Sequence, residues 1–181
     1  MFENHSALHL LNTYIKGDNL KHHCKMVSQA MLAYATSLNK PDDELEKWWL
    51  SGLLHDLDWE MYPDEHPNLA ITKILPEAGF NDPDLLNAIA AHAPDRTGVQ
   101  PESELARYLF ACDELSGFMH AVSLMRPNGF NDMAVKSVKK KMKDKKFAEN
   151  VPREDIKMGA ELINTDLDNH ILFLIEVFKK S

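Results

Sequence analysis

The sequence predicts an all-α fold, and three observations predict it. Apolar residues recur every three or four positions almost throughout the 181 residues. No stretch alternates apolar and polar residues as a half-buried strand would. Gly17, Pro41, Pro67, Gly79, Pro83, Pro127 and Pro152 punctuate the periodic stretches, as helix starts and stops do.

Leu8, Leu11 and Ile15 mark a first helix, closed by Gly17 as a residue able to take the left-handed C-terminal cap. Asp18 or Asn19 can cap a second helix, about 19–38, whose inward stripe is Leu20, Val27, Met31, Tyr34 and Leu38. His23 and Cys24 lie on the same side. A third helix, about 42–56, follows Pro41. Asp42, Asp43 and Glu44 suit the positive end of its dipole, and Trp48, Trp49, Leu53 and Leu54 lead into His55-Asp56. Adjacent tryptophans point different ways, so one is expected in the core and the other at the surface or an interface. The segment LDWEMYPDEHP is an irregular loop. Pro67 opens a helix of about 67–78 that stops at Gly79, and Pro83 opens another of about 83–92. A polar loop, APDRTGVQP, leads to a long helix from about Glu102 to Met125, stopped before Pro127. Three more helices, about 131–143, 152–163 and 166–179, complete the chain, with start signals at Pro152 and Thr165-Asp166. There is no internal repeat or low-complexity linker. Residues 1–181 therefore read as a single all-α domain, a core of about 19–125 with a C-terminal helical extension of about 131–181 packed on it.

Hydrophobic residues make up 44% of the chain, enough for a core and against disorder. The net charge is -8, from 20 basic and 28 acidic side chains. That balance argues against nucleic acid or an anionic membrane as partner, since both want a basic surface. A small phosphorylated substrate needs only a local basic patch. Cys24 and Cys112 stand in no ligand spacing and read as two small buried thiols of a reducing compartment. No run resembles a signal peptide or approaches the roughly 20 apolar residues that span a bilayer. The expected location is cytoplasmic, and the oligomeric state is left open.

The strongest local signal is His55-Asp56 at the end of an apolar helix. Helical neighbours point about 100° apart, so they rarely face each other but can converge on an ion beyond the helix end. His23 lies on an inward stripe. Asp113 lies in LFACDELSGF, an apolar helical run with no Lys or Arg beside it, where an unpaired carboxylate would be expensive. A metal cation shared among His23, His55, Asp56 and Asp113 supplies the missing counter-charge. Imidazole plus carboxylate without thiolate suits Fe, Mn, Co, Ni or Zn.

The order His…His-Asp…Asp resembles the signature of the HD superfamily of metal-dependent phosphohydrolases. It is carried by His23 in HCKMVSQAMLAYA, His55-Asp56 in SGLLHDLDWE and Asp113 in YLFACDELSGF. His66 in PDEHPNLA and His92 in AIAAHAPD fall between, which is similar to the six-ligand variant with two metals. The likeness looks closest to a bacterial branch of predicted HD hydrolases and extends to SVKKKMKDKKFA and VPRED near the C-terminus. It implies an HD-type helical domain, one or two divalent transition metals, and hydrolysis of a small phosphate ester or nucleotide by metal-activated water, with Asp56 bridging two ions. The further His-Glu and Gly-Tyr-Pro elements of HD-GYP phosphodiesterases do not follow His66. Two alternatives stand beside the hydrolase. A diiron oxygenase uses the same ligand order with a Tyr and an acid upstream; Tyr14 is present, but Lys16 stands where the acid would be. A non-catalytic sensing module of HD type is the other, although such relatives lose ligand residues and all six are here.

His23 is preferred to His22, because Val27 and Met31 follow it on one helical face. His5, His9, His120 and His170 belong to no motif. Asp58 and Glu60 are either a solvated acidic loop or acids that orient a ligand histidine or the attacking water, and Asp58 joins Asp56 as a candidate catalytic residue. Seven lysines lie between Lys136 and Lys146. They form a solvated face, or else Lys141 and Lys146, with Arg153, bind substrate phosphate at the metal pocket. Arg126 and Ser137 are weaker candidates.

Overall fold

The computed structural model describes residues 4–180, and among these there are ten α-helices and no strand. α1 (His5–Tyr14), α2 (Asp18–Ser37) and α3 (Asp42–Leu54) are followed by a π-helical turn, Ala70–Ile74, which runs into α4 (Leu75–Glu77). Then come α5 (Pro83–Ala91), α6 (Pro94–Thr97), α7 (Glu104–Ser123), α8 (Val135–Met142), α9 (Arg153–Leu162) and α10 (Leu167–Phe178). No helix among the described residues is long and apolar enough to cross a membrane.

α2, α3 and α7 pack on one another, and α5 packs on α3 and α7. The apolar cluster at their centre is continuous from Ala7 in α1 to Phe178 in α10. Helix starts follow the chemistry of orphan amides. Asn4 accepts from the Ala7 N–H, Asp82 from Asp84 and Leu85, Ser103 from Ala106, and Asp166 from Asn169. The C-terminal helices cover the core, α9 against α7 and α10 against α2. At their seam His170 is fully buried. Tyr34 donates its hydroxyl to His170 Nδ1 at 2.6 Å, and His170 Nε2–H donates to the Ala111 carbonyl at 2.9 Å. Burial pushes the imidazole pKa down to about 4, so it is a neutral core group.

Four expectations change. Gly17 is not a left-handed cap: it is extended (φ -68°), stands as the N-cap of α2, and donates its N–H to Glu60 at 2.9 Å. Neither Asp18 nor Asn19 caps that helix, because Asp18 is already inside it. Trp48 and Trp49 are both buried, 1% and 7% exposed, since α1, α2, α5 and α7 all pack against α3. The loop after His92 contains the short α6, ended by Gly98 in the left-handed region (φ +74°). The tightest crossing in the core is at Gly52 of α3, where a Cβ would lie 2.6 Å from the Ser28 amide of α2. That approach sets the distance between the helices that carry His23 and His55.

Candidate metal centre

α2, α3 and α5 reach the site through residues at or near their ends, and α7 through its middle. His23 stands in the second turn of α2, His55 is the C-cap of α3 with Asp56 after it, and His92 is the C-cap of α5. His66 closes the loop after α3, and Asp113 lies mid-way along α7. These six side chains form two groups of three. In one, His23 Nε2 is 3.2 Å from His55 Nε2 and 3.0 Å from Asp113 Oδ1, and His55 Nε2 is 3.3 Å from the same oxygen. In the other, His66 Nε2 is 3.2 Å from His92 Nε2, and Asp56 Oδ1 is 3.5 and 3.7 Å from the two nitrogens. The second oxygen of Asp56 turns to the first group, 3.4 Å from His55 Nε2 and 3.6 Å from His23 Nε2. One carboxylate thus divides its two oxygens between two triads.

The donor chemistry fits a divalent transition metal. Donors bound about 2.1 Å from one ion, at octahedral or tetrahedral angles, lie about 3.0–3.4 Å apart. The separations within the triads fall at or just above that spacing. Three histidines have Nδ1 occupied: His55 Nδ1–H donates to the Gly52 carbonyl at 2.9 Å, His92 Nδ1–H to Ile89, and His66 Nδ1–H to Asp58 Oδ1 at 2.7 Å. Each bond leaves Nε2 facing the centre, where the neutral imidazole can offer it as a ligand. Burial opposes charge on His55, but Asp56 and Asp113 beside it outweigh burial and hold its pKa well above the ordinary value. Burial likewise opposes charge on both carboxylates, and their imidazole neighbours hold them well below the usual range. No thiol takes part; burial pushes Cys24 up to about 12.

Asp58 is not on a solvated loop. It is fully buried, accepts from His66 at Oδ1 and from the Ala70 N–H at Oδ2 (2.8 Å), and does not line the cavity. It orients His66, one of the two roles expected of it from the sequence, and its burial away from the cavity corrects the solvated-loop alternative and its candidacy as a catalytic residue. Glu60 accepts from the amides of Lys16 and Gly17 and tethers the α1–α2 turn. Asp58→Asn keeps the size but weakens the hold on His66 Nδ1. The expected effect is a loss of about tenfold or more in affinity for the metal held by His66 and His92, measured by chelator competition. Wild-type affinity in that variant would remove the role.

The cavity over the cluster has a volume of about 420 Å³. His23, Asp56, His66, His92 and Asp113 line it, under walls that include Trp59, Phe110 and Met158. Lys141, Lys146 and Arg153 do not, which corrects their placement at the metal pocket. Lys141 Nζ sits 4.7 Å above the Phe147 ring, and Lys146 is exposed. Arg153 is engaged by the carbonyls of Ala148 and Val151 at 2.5 Å each, and by that of Phe147, so its guanidinium holds the 144–151 turn together. Arg126 pairs with Asp132. His22 is exposed and packs on His120, ring centroids 4.5 Å apart, on a separate surface.

The sequence reading missed the cavity's other polar residues. Arg96 is its one Lys or Arg, stacked 4.9 Å over Trp59 and donating to the Pro63 carbonyl at 2.7 Å. Nothing in APDRT marks it. Glu114 did carry a signal, since the buried-carboxylate argument for Asp113 applies equally to its neighbour. Burial, with Asp113, Asp155 and Asp56 around it, pushes the Glu114 carboxyl up to about 8. Asp155 comes from α9, so the C-terminal extension closes one wall.

Residues 20–117 match the family model described as HD domain. No curated protein and no solved structure matches the chain.

Proposed function

Because the chain belongs to the HD-domain family, whose superfamily is that of metal-dependent phosphohydrolases, we propose that it hydrolyses a small phosphate ester or nucleotide. The observation that carries this reading is Asp56, with one oxygen on each of two His-containing triads. His23, His55 and Asp113 would hold one ion, His66 and His92 the other, with Asp56 shared. A divalent ion there would supply a water of lowered pKa and a Lewis acid for a phosphoryl oxygen.

The chain's own residues do the rest. His66, held by Asp58, and His92, held by the Ile89 carbonyl, keep their Nε2 atoms fixed without reorganisation. Arg96 takes the place that the lysines of α8 do not fill. Its guanidinium, braced on Trp59 and Pro63, can donate to a phosphate oxygen entering the cavity. Phe110, Met158 and Trp59 give the non-phosphate part of a substrate an apolar wall. Asp95, Glu114 and Asp155 make the rest of the lining acidic, so ions held by the two triads would have to neutralise most of the phosphate charge.

A panel of phosphomonoesters, phosphodiesters and nucleotides, assayed with added Mn, Co, Ni, Fe or Mg, should yield at least one substrate whose turnover Asp113→Ala abolishes. On that substrate Arg96→Ala should raise KM more than it lowers kcat, as loss of a static charge does. No hydrolysis across the panel, with oxygen consumed on an organic substrate instead, would overturn the reading in favour of a diiron oxygenase.

A further inference from the structure

Other lysines of the Lys136–Lys146 segment, with Arg153, line a separate cavity. It has a volume of about 650 Å³, lies among α8, the 144–151 turn, α9 and the start of α10, and is outside the matched residues 20–117. Five cationic side chains line it against two carboxylates, in a chain whose net charge is -8. Three of the five are engaged. Lys139 pairs with Asp168 at 2.6 Å, Lys157 pairs with Glu154 at 2.8 Å, and Arg153 is held by carbonyls. Lys143 and Lys145 are exposed and, among the described residues, pair with no carboxylate. Between the charges the wall is apolar, with Met142, Val151 and Leu167. Volume, charge and lining together describe a receptor for an anion with an apolar body.

Helix α9 stands between this cavity and the metal centre. Asp155 and Met158, three apart, face the His/Asp cluster, while Glu154 and Lys157, also three apart, face the basic cavity. Val151 lines both. We propose that the basic cavity is a second binding site, for a small phosphorylated molecule with an apolar portion such as a nucleotide, distinct from the metal centre and separated from it by α9. Lys143 and Lys145 meet the phosphates, and Met142 and Leu167 receive the apolar portion. Because the cations are exposed, the attraction weakens with salt.

The test is calorimetric titration of the metal-loaded protein with ADP at low and high salt. Wild type should bind, more weakly at high salt. The double variant Lys143→Glu, Lys145→Glu should bind about tenfold more weakly or worse while keeping wild-type metal content and circular dichroism. Asp56→Asn, which disables the metal centre, should bind ADP within about a factor of two of wild type. Wild-type affinity in the lysine variant, loss of binding in Asp56→Asn, or no binding by wild type at millimolar ADP would each overturn the proposal. This proposal rests on the ADP affinity of the lysine and Asp56→Asn variants and the hydrolase reading on turnover across the substrate panel, so failure of one and failure of the other are separate results.

Discussion

Asp56→Asn should lose metal from both halves of the centre and at least about a thousandfold in hydrolytic turnover, about 4 kcal/mol of barrier. The amide matches the carboxylate in size, so packing is preserved. It loses the charge, and it replaces one of two oxygens by an NH2 group that cannot ligate. Whichever way the amide turns, one triad loses its share of Asp56, and the other keeps only a neutral oxygen. The half formed by His66 and His92 suffers more, because Asp56 is its only carboxylate, whereas His23 and His55 retain Asp113. Elemental analysis of the purified variant and kcat/KM on any substrate found for wild type check both parts. Wild-type metal content with wild-type turnover would mean that Asp56 is not shared.

Gly52→Ala should be among the costliest single methyls in the core. The added Cβ would meet the Ser28 amide at 2.6 Å, and the Ser28 Cα and Val27 carbonyl carbon at 2.7 Å. These are backbone atoms of a buried helix and cannot rotate away, so α2 and α3 must part. Alanine gains about 1 kcal/mol of helix propensity over glycine. Overpacking costs typically about 1–3 kcal/mol, and backbone atoms on the far side put this site at the upper end, about 3 kcal/mol. The net loss is therefore about 2 kcal/mol, seen as a lower urea midpoint at unchanged slope. The same separation moves His23 away from His55, whose Nδ1–H is itself bonded to the Gly52 carbonyl, so metal affinity should fall with stability. Gly117→Ala is the control: its Cβ would meet only the His23 ring, at 3.6–3.7 Å, an ordinary contact. Equal or greater stability in Gly52→Ala would show that the helices are not held at this contact.

What the sequence made legible follows from which forces are local. The long helices were readable because apolar spacing and start signals such as Asp166 and Pro83 act within a few residues. The metal-ligand candidates were readable because imidazoles and carboxylates at inward positions need a counter-charge wherever the chain takes them. Partnerships across the fold were not. Asp58 reads as a loop acid until the helix starting near Asn68 turns its Ala70 amide toward it. One of Trp48 and Trp49 reads as a surface residue until the helices around α3 cover both. Lys141, Lys146 and Arg153 read as phosphate ligands because charge in a sequence has no direction; none of them lines the cavity over the centre. Arg96 escaped because a four-residue helix in a polar loop gives too short a pattern to place a side chain.

The central claim is that one carboxylate joins two separate metal positions, and metal stoichiometry tests it most directly. Wild type saturated with Mn or Fe and freed of excess should carry two ions per chain, one for each triad. The double variant His66→Ala, His92→Ala removes both nitrogens of one triad and leaves His23, His55, Asp56 and Asp113 in place. It should stay folded by circular dichroism and carry one ion. A wild type that never exceeds one ion under saturating conditions, with a double variant that keeps that one, would contradict the account.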